Sequence, residues 1–214
     1  MPKAAEPSAA PECLSVLTDL LGACGVPDAA RLSERLVREF GSLSVLLAAS
    51  PEALARVAGG NPSVAPCLAA VRGVMTHVLK SEVTGRSIVS NAEALISYLQ
   101  VGLAGATEEQ LRVLFLNARN ELLREEQCYP GSATGVTIRP RPIIKRALEL
   151  GATAVILVHN HPSGDPTPSA EDIKATAALI AAATPLEIVV HDHIIIGHRA
   201  WTSLRSNGQM KLAA

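Results

Sequence analysis

Residues 153–172 read TAVILVHNHPSGDPTPSAED, and two periodicities meet inside them. The first seven residues form a near-continuous apolar run, the pattern of a central strand covered on both faces. Pro162, Gly164, Pro166 and Pro168 then impose a rigid turn. Ser169 starts a helix, and Asp172 lies in its first turn. Strand side chains alternate with period two, so His159 and His161 project to one side at the strand's end. Asp172 faces them across the loop.

Two imidazoles and one carboxylate form a metal-binding set that leaves a fourth position for water. That is the arrangement of catalytic zinc; structural zinc is usually closed by four protein ligands, often Cys. One Zn2+ per chain is therefore expected, held by His159, His161 and Asp172. Bound zinc brings the acidity of its water to a pKa of about 7. The chemistry also needs a general base from another element and a donor for the developing oxyanion. Ser169 is placed to be that donor. Ser169-x-x-Asp172 reads equally as an acidic capping box, and the two roles are compatible because a carboxylate has two oxygens. Asp165 suits an Asx-type turn within the loop.

The chain's 214 residues allow one large domain or two small ones. With 48% apolar residues it can bury a core, built from Leu, Val, Ile and Ala because the aromatics are few. The net charge of −1 excludes a strongly basic nucleic-acid binder on bulk charge. Cys13, Cys24, Cys67 and Cys128 form no C-x-x-C pair and are read as reduced thiols. The N-terminus lacks the apolar run of a signal peptide, and no stretch of about 18 apolar residues exists. A cytoplasmic protein without a membrane partner is expected.

Residues 1–11, rich in Pro and Ala, read as a disordered tail. Residues 12–83 read as a small helical domain. Leu14, Leu17 and Leu21 recur at helical spacing, as do Leu32, Leu36 and Phe40. Breaks fall at Gly25-Val26-Pro27-Asp28 and Gly59-Gly60-Asn61-Pro62, and Ser50-Pro51-Glu52 is a strong helix start. Residues 84–214 then read as a mixed sheet with helices. The expected helices lie at 91–104, capped by Asn91, and at 140–150 and 170–183. The expected strands lie at 111–117, 121–127, 153–159, 187–190 and 194–197.

The run at 159–169, the later Asp192-His193-Ile194-Ile195-Ile196-Gly197 and the strand at 113–117 resemble the bacterial RadC family. The spacing His159-x-His161-x7-Ser169-x2-Asp172 resembles the wider JAMM/MPN metalloprotease signature. The resemblance covers residues 85–208. It implies an α+β fold, in which a small all-helical N-terminal domain precedes a JAMM/MPN-like mixed β-sheet with flanking helices, of cytidine-deaminase-like type. It implies a zinc-dependent hydrolase, a metallopeptidase acting on amide or isopeptide bonds of a peptide or protein. It also implies that Glu109, just before the first strand of the metal domain, is the base, with Glu108 its nearest competitor. RadC relatives carry Arg-Glu where this chain has Arg141-Pro142, so that second acid is missing. Asp192 and His193 are typical of the family; His193 either orients a ligand or is a core histidine bonded to backbone. His77, His191 and His198 have no supporting pattern.

Other metal chemistries fail on detail. The H-x-E and P-C-x-x-C of zinc deaminases are absent, as is H-E-x-x-H. An amidohydrolase barrel needs about 250 residues.

The helical segment also resembles a helix-hairpin-helix module, whose hairpin N–H groups bind DNA phosphates. Its candidate hairpin is Val57-Ala58-Gly59-Gly60-Asn61, flanked by Arg56 and Arg72. This motivates an alternative: a DNA-associated repair or recombination factor with a structural or nuclease metal site. Charge opposes it. Residues 1–83 hold seven basic side chains (Lys3, Arg31, Arg35, Arg38, Arg56, Arg72, Lys80) against eight acids (Glu6, Glu12, Asp19, Asp28, Glu34, Glu39, Glu52, Glu82). A second basic group, Arg139, Arg141, Lys145 and Arg146, reads as a charged outer face.

Overall fold

The computed structural model describes residues 10–128 and 138–210. Of the tail expected over 1–11, residues 1–9 lie outside the described residues, and Ala10 already begins a helix. Five helices follow one another: α1 (Ala10–Ala23), α2 (Ala29–Phe40), α3 (Leu43–Ala48), α4 (Pro51–Val57) and α5 (Val64–Val83). Gly41 ends α2 at φ 71, a conformation that favours glycine, and its N–H returns to the Val37 carbonyl. Ser42 and Ser50 cap α3 and α4 by accepting from the N–H groups of Val45 and Ala53. The Ser50 start is legible in the sequence, whereas six-residue α3 is too short to show a period. Leu17, Leu21, Leu32, Leu36, Leu46, Leu54 and Leu68 meet in one buried cluster.

The expectation of four reduced thiols is corrected. Cys24, in the turn after α1, forms a disulfide with Cys67 on α5, and Cys13 and Cys128 are free. The pair is 43 residues apart in sequence, so spacing could not reveal it.

After α6 (Ala92–Leu103) come β1 (Leu111–Leu116), β2 (Leu122–Cys128), α7 (Pro140–Leu150), β3 (Ala154–Asn160), α8 (Ala170–Ala183), β4 (Val189–Ile196) and β5 (Trp201–Ser203). The sheet order is β2-β1-β3-β4-β5. Among the described residues, only β3 and β4 pair in parallel, and α8 lies in the crossover between them. The molecule is thus of mixed α/β type, as expected. Two details differ. The strands expected at 187–190 and 194–197 are one strand, because the polar His191-Asp192-His193 between them continues the pairing with β3. Asn91 does not cap α6; its amide donates to the Glu82 carbonyl instead. No helix among the described residues is long and apolar enough to cross a membrane.

Both sheet faces are covered. Val113, Phe115, Val155, Leu157 and Ile195 pack with Ala147 of α7 and Leu179 of α8. Leu114, Leu116, Ile156, Val158, Ile194 and Ile196 pack with Leu95, Leu99 and Leu103 of α6. Every residue of β3 is buried, which explains its unbroken apolar run.

On the α6 side, the largely buried carboxylate of Glu125 accepts from Tyr98, from Lys80 (3.1 Å) and from Arg112 (2.9 Å). Burial pushes this carboxyl upward, but Tyr98, Lys80 and Arg112 outweigh it and hold Glu125 below its ordinary value. A depressed carboxyl adds stability above the unfolded value of about 4.3, and that stability fades as pH falls through the folded value. Glu125→Gln is therefore expected to lose about 3 kcal/mol at pH 7. The gap between wild type and variant in thermal or urea melts should close below about pH 4. A gap independent of pH would contradict this account.

Candidate metal centre

The alternation that packs Val155 and Leu157 toward α8 continues past the apolar run, so His159 and His161 turn the same way. Their Nε2 atoms approach to 2.9 Å. Asp172, on the first turn of α8, brings Oδ1 within 3.3 Å of His159 Nε2 and Oδ2 within 3.6 Å of His161 Nε2. Glu109 reaches the same point from before β1, with Oε1 3.9 Å from His159 Nε2. One ligand atom each from Glu109, His159 and His161 lie within 4.8 Å of one another, a cluster able to hold a metal ion. The Glu108 side chain is not part of it.

The protons of this cluster can be assigned from their partners. Thr176 Oγ1 lies 2.6 Å from the Asp172 carbonyl, which can only accept, so the hydroxyl proton goes there. Thr176 then accepts from His193 Nδ1–H, also at 2.6 Å. This leaves His193 Nε2 as acceptor for His159 Nδ1–H, at 2.7 Å. His159 therefore presents an unprotonated Nε2. On the other ring, His161 Nδ1–H donates to the Asp165 carbonyl at 2.7 Å, which leaves Nε2 bare when the imidazole is neutral. With both rings neutral, two lone pairs meet 2.9 Å apart beside two carboxylates, an arrangement that a cation between them satisfies. On this ground the residues fit a metal ion.

At His161 the Asp172 carboxylate, helped by the Asp165 carbonyl and Glu109, outweighs burial and raises the ring above its ordinary value, whereas burial keeps His159 and His193 neutral. Burial lowers His159 to about 4, with His161 adding to the effect and Asp172 opposing it. It lowers His193 to about 3, with His159 adding to the effect. Neutral imidazole is the ligating form. Burial pushes Asp172 upward, but contacts with His161, His159 and Ser169 outweigh it and keep the carboxyl well below its ordinary range.

Asp172 divides its oxygens. Oδ2 accepts from Ser169 N–H (2.8 Å) and from the Ser169 hydroxyl (2.7 Å), completing the capping box, while Oδ1 faces His159. In this conformation the Ser169 proton is spent on Asp172. Asp165 makes the expected Asx-type turn, accepting from Thr167 N–H at 3.0 Å.

Three contributions are not apparent from the sequence. Asn160, between the two histidines, points to the opposite face. Its Oδ1 accepts from Gln110 N–H (2.9 Å) and its Nδ2 donates to the Glu108 carbonyl (3.1 Å), clamping both neighbours of Glu109. Thr176 reads as an ordinary helix residue; only its place one turn beyond Asp172 hints at a role. The sequence leaves His193 between two readings, and its ring bonds are to His159 and Thr176 rather than to backbone.

Other candidates do not join the site. Arg146 and Lys145 pair with Glu126 and Glu149 on the outer face. In the hairpin at 57–61, the N–H groups of Ala58, Gly60 and Asn61 donate to carbonyls within it or in α4, and Arg35 binds the Val57 carbonyl. Little is left there for a phosphate.

The five helices reach the site instead. A Cβ on Gly105, in the loop leading to Glu109, would fall 2.5 Å from Ala48 Cβ, so α3 touches that loop directly. Clefts of about 320 and 330 Å3 open nearby. The first runs from Ala48, Ser50 and Arg72 to Glu108, Gln110 and Arg112. The second lies between Phe40 and Val45 and the metal loop at Ser163 and Gly164.

The family model described as RadC-like JAB domain matches residues 89–209, more than half of the chain.

If the Thr176 hydroxyl sets the His159 tautomer, Thr176→Val should weaken Zn2+ binding about 10- to 100-fold in chelator competition, while Thr176→Ser stays near wild type. Equal affinities for the Val and Ser variants would refute the relay. Asn160→Ala should speed amide exchange at Gln110, whose N–H loses its acceptor; unchanged exchange would show that the clamp is idle.

Proposed function

We propose that this chain, which belongs to the RadC-like JAB domain family, is a zinc-dependent hydrolase of amide or isopeptide bonds in peptides or proteins. The observation that carries the proposal is the convergence of two imidazole Nε2 atoms, the Asp172 carboxylate and the Glu109 carboxylate on one point. His159, His161 and Asp172 would hold the ion. When bound, the ion supplies Lewis acidity, which makes water a nucleophile at neutral pH and polarises a carbonyl.

The rest of the chemistry falls to the side chains. Glu109 stands beside the ligands with its loop clamped by Asn160, and in this reading it takes the proton of the attacking water and returns it to the leaving amine. Ser169 is the proposed oxyanion donor. Its hydroxyl now bonds to Asp172 and must rotate about Cα–Cβ to reach a substrate. The buried relay behind His159 holds that ring in place during turnover. The DNA-binding alternative gains no support from the hairpin, whose N–H groups are mostly engaged.

Mass spectrometry of protein purified without chelator should find about one zinc per chain, lost in Asp172→Ala. Glu109→Gln should keep the metal and lose at least about a hundredfold in peptide hydrolysis. Absence of zinc from wild type, even after its addition, would defeat the proposal; full activity in Glu109→Gln would remove the assigned base.

A further inference from the structure

We propose that the cleft between the helical segment and the Glu109 loop is a substrate subsite for an acidic side chain, with Arg72 as its reader. The proposal rests on the peptidase reading above and narrows it to peptides carrying Asp or Glu close to the scissile bond.

The cleft measures about 320 Å3, room for one side chain and its flanking backbone. Its walls come from both parts of the chain. Ser50 and Arg72 line one side, and Thr107, Glu108, Gln110 and Arg112 the other. Glu108 and Gln110 are the chain neighbours of Glu109. Arg112 pairs with Val158 on the α6 side of the sheet, whereas Leu111 pairs with His159 on the other side, so a peptide seated in the cleft reaches the metal centre over the end of the sheet, past the Glu109 loop.

The two arginines differ. Arg112 is committed: its Nη1 lies 2.9 Å from Glu125 Oε1, and Glu125 is also bonded to Lys80 and Tyr98. Arg72, partly buried in the middle of α5, has no hydrogen bond or ion pair to any described residue. A partly desolvated guanidinium facing a cleft is matched by a planar carboxylate, which it binds through two parallel N–H donors.

Charge separates a single carboxylate from a polyanion. The cations on the lining are Arg72 and Arg112, and Arg112 is neutralised by Glu125, so Arg72 is the one uncommitted cation there, with Glu108 and the neighbouring Glu109 as the acids beside it. Glu108 is exposed on the lining and repels a second anionic group. Such a balance accepts one carboxylate and disfavours a phosphate backbone, whose binding needs several uncompensated cations.

The helices also set a path. Val45 lines the second cleft, beside the metal loop, and Ala48, one helical turn further along α3, lines the first. The short helix therefore bridges two openings that flank the residues of the metal centre. At the second opening, Gly41 leaves just enough room for the Arg199 guanidinium. In this proposal an extended peptide runs along α3, with its acidic residue at Arg72 and its following residues toward the metal loop.

The test uses the full chain loaded with Zn2+ and carrying Glu109→Gln, so that peptides are held without turnover. It is probed with immobilised dodecapeptides of neutral sequence in which one scanned position carries Asp, Glu, Asn, Gln or Lys. Acidic peptides should be retained about tenfold better than their amide counterparts. Adding Arg72→Ala should abolish that preference, and Arg72→Glu should turn it toward Lys, with thermal midpoints confirming that both variants fold. Equal retention of acids and amides, a preference that survives Arg72→Ala, or no retention at all would overturn the subsite. The parent reading is scored separately by cleavage with wild-type protein. Cleavage indifferent to charge leaves the peptidase and removes the subsite. Arg72-dependent retention without any cleavage leaves the subsite and removes the peptidase.

Discussion

β3 is buried on both faces along its whole length, and that constraint governs the candidate site. A slip of one residue would exchange its two faces and push His159 and His161 toward α6. Register with the neighbouring strands follows from the same burial. Leu111 pairs antiparallel with His159, so Glu109, two residues earlier, comes level with His161. Leu157 pairs with His193 on parallel β4, which sets the buried histidine one step behind His159, within reach of its Nδ1. The polar end of one apolar strand thus collects its partners from both sides through backbone pairing alone.

Burial also prepares the chemistry. Imidazoles in an apolar surrounding stay neutral, and a neutral imidazole needs one partner to decide which nitrogen keeps the proton. The chain from the Asp172 carbonyl through Thr176 and His193 makes that decision for His159, and the Asp165 carbonyl makes it for His161. The relay begins at the backbone of one proposed ligand and ends at the ring of another, coupling α8 to β3 through β4. Among the described residues, the buried side-chain atoms without a partner are Ser33 Oγ and Gln209 Oε1, neither of them in this network. From the Asp172 carbonyl to His159 Nδ1 every donor in the relay has its acceptor, and such a chain is rigid, whereas a half-satisfied one would be a liability.

What is legible in the sequence follows from pattern and chemistry. The apolar run, the proline-rich turn and the Ser-x-x-Asp start of α8 are local signals, and together they bring His159, His161 and Asp172 to one strand-to-helix boundary. Contributions that depend on contacts between distant segments are not legible. Asn160 clamps residues about 50 positions away, and nothing in its neighbourhood announces that. The middle of β4 reads as a loop because His191-Asp192-His193 is polar, yet Asp192 accepts from the Ser203 hydroxyl and His193 is wholly enclosed. The Cys24–Cys67 disulfide and the short strand β5 escape notice for similar reasons: one joins separate elements, and the other has too few residues to show a period.

The place of the helical segment changes the weight of its own motif. A glycine-containing hairpin serves phosphates only if its N–H groups are free, and most of these are engaged in closing the end of α4. The glycines that matter to the molecule's organisation lie elsewhere. Gly41 leaves room for Arg199, Gly164 for the His198 ring, and Gly105 for Ala48. A side chain at Gly41 would push the end of α2 from Arg199 in the β4–β5 loop, one at Gly105 would push the Glu109 loop from α3, and one at Gly164 would push the metal loop from His198. Close approach at Gly41 and Gly105 fixes the helices as a wall beside the candidate metal centre, and a wall that drifts by an ångström loses its hold on a ligand. A module built to swing out and grip a separate nucleic acid would have no use for it. The packing therefore favours reading the five helices as one side of the cleft beside the candidate metal centre.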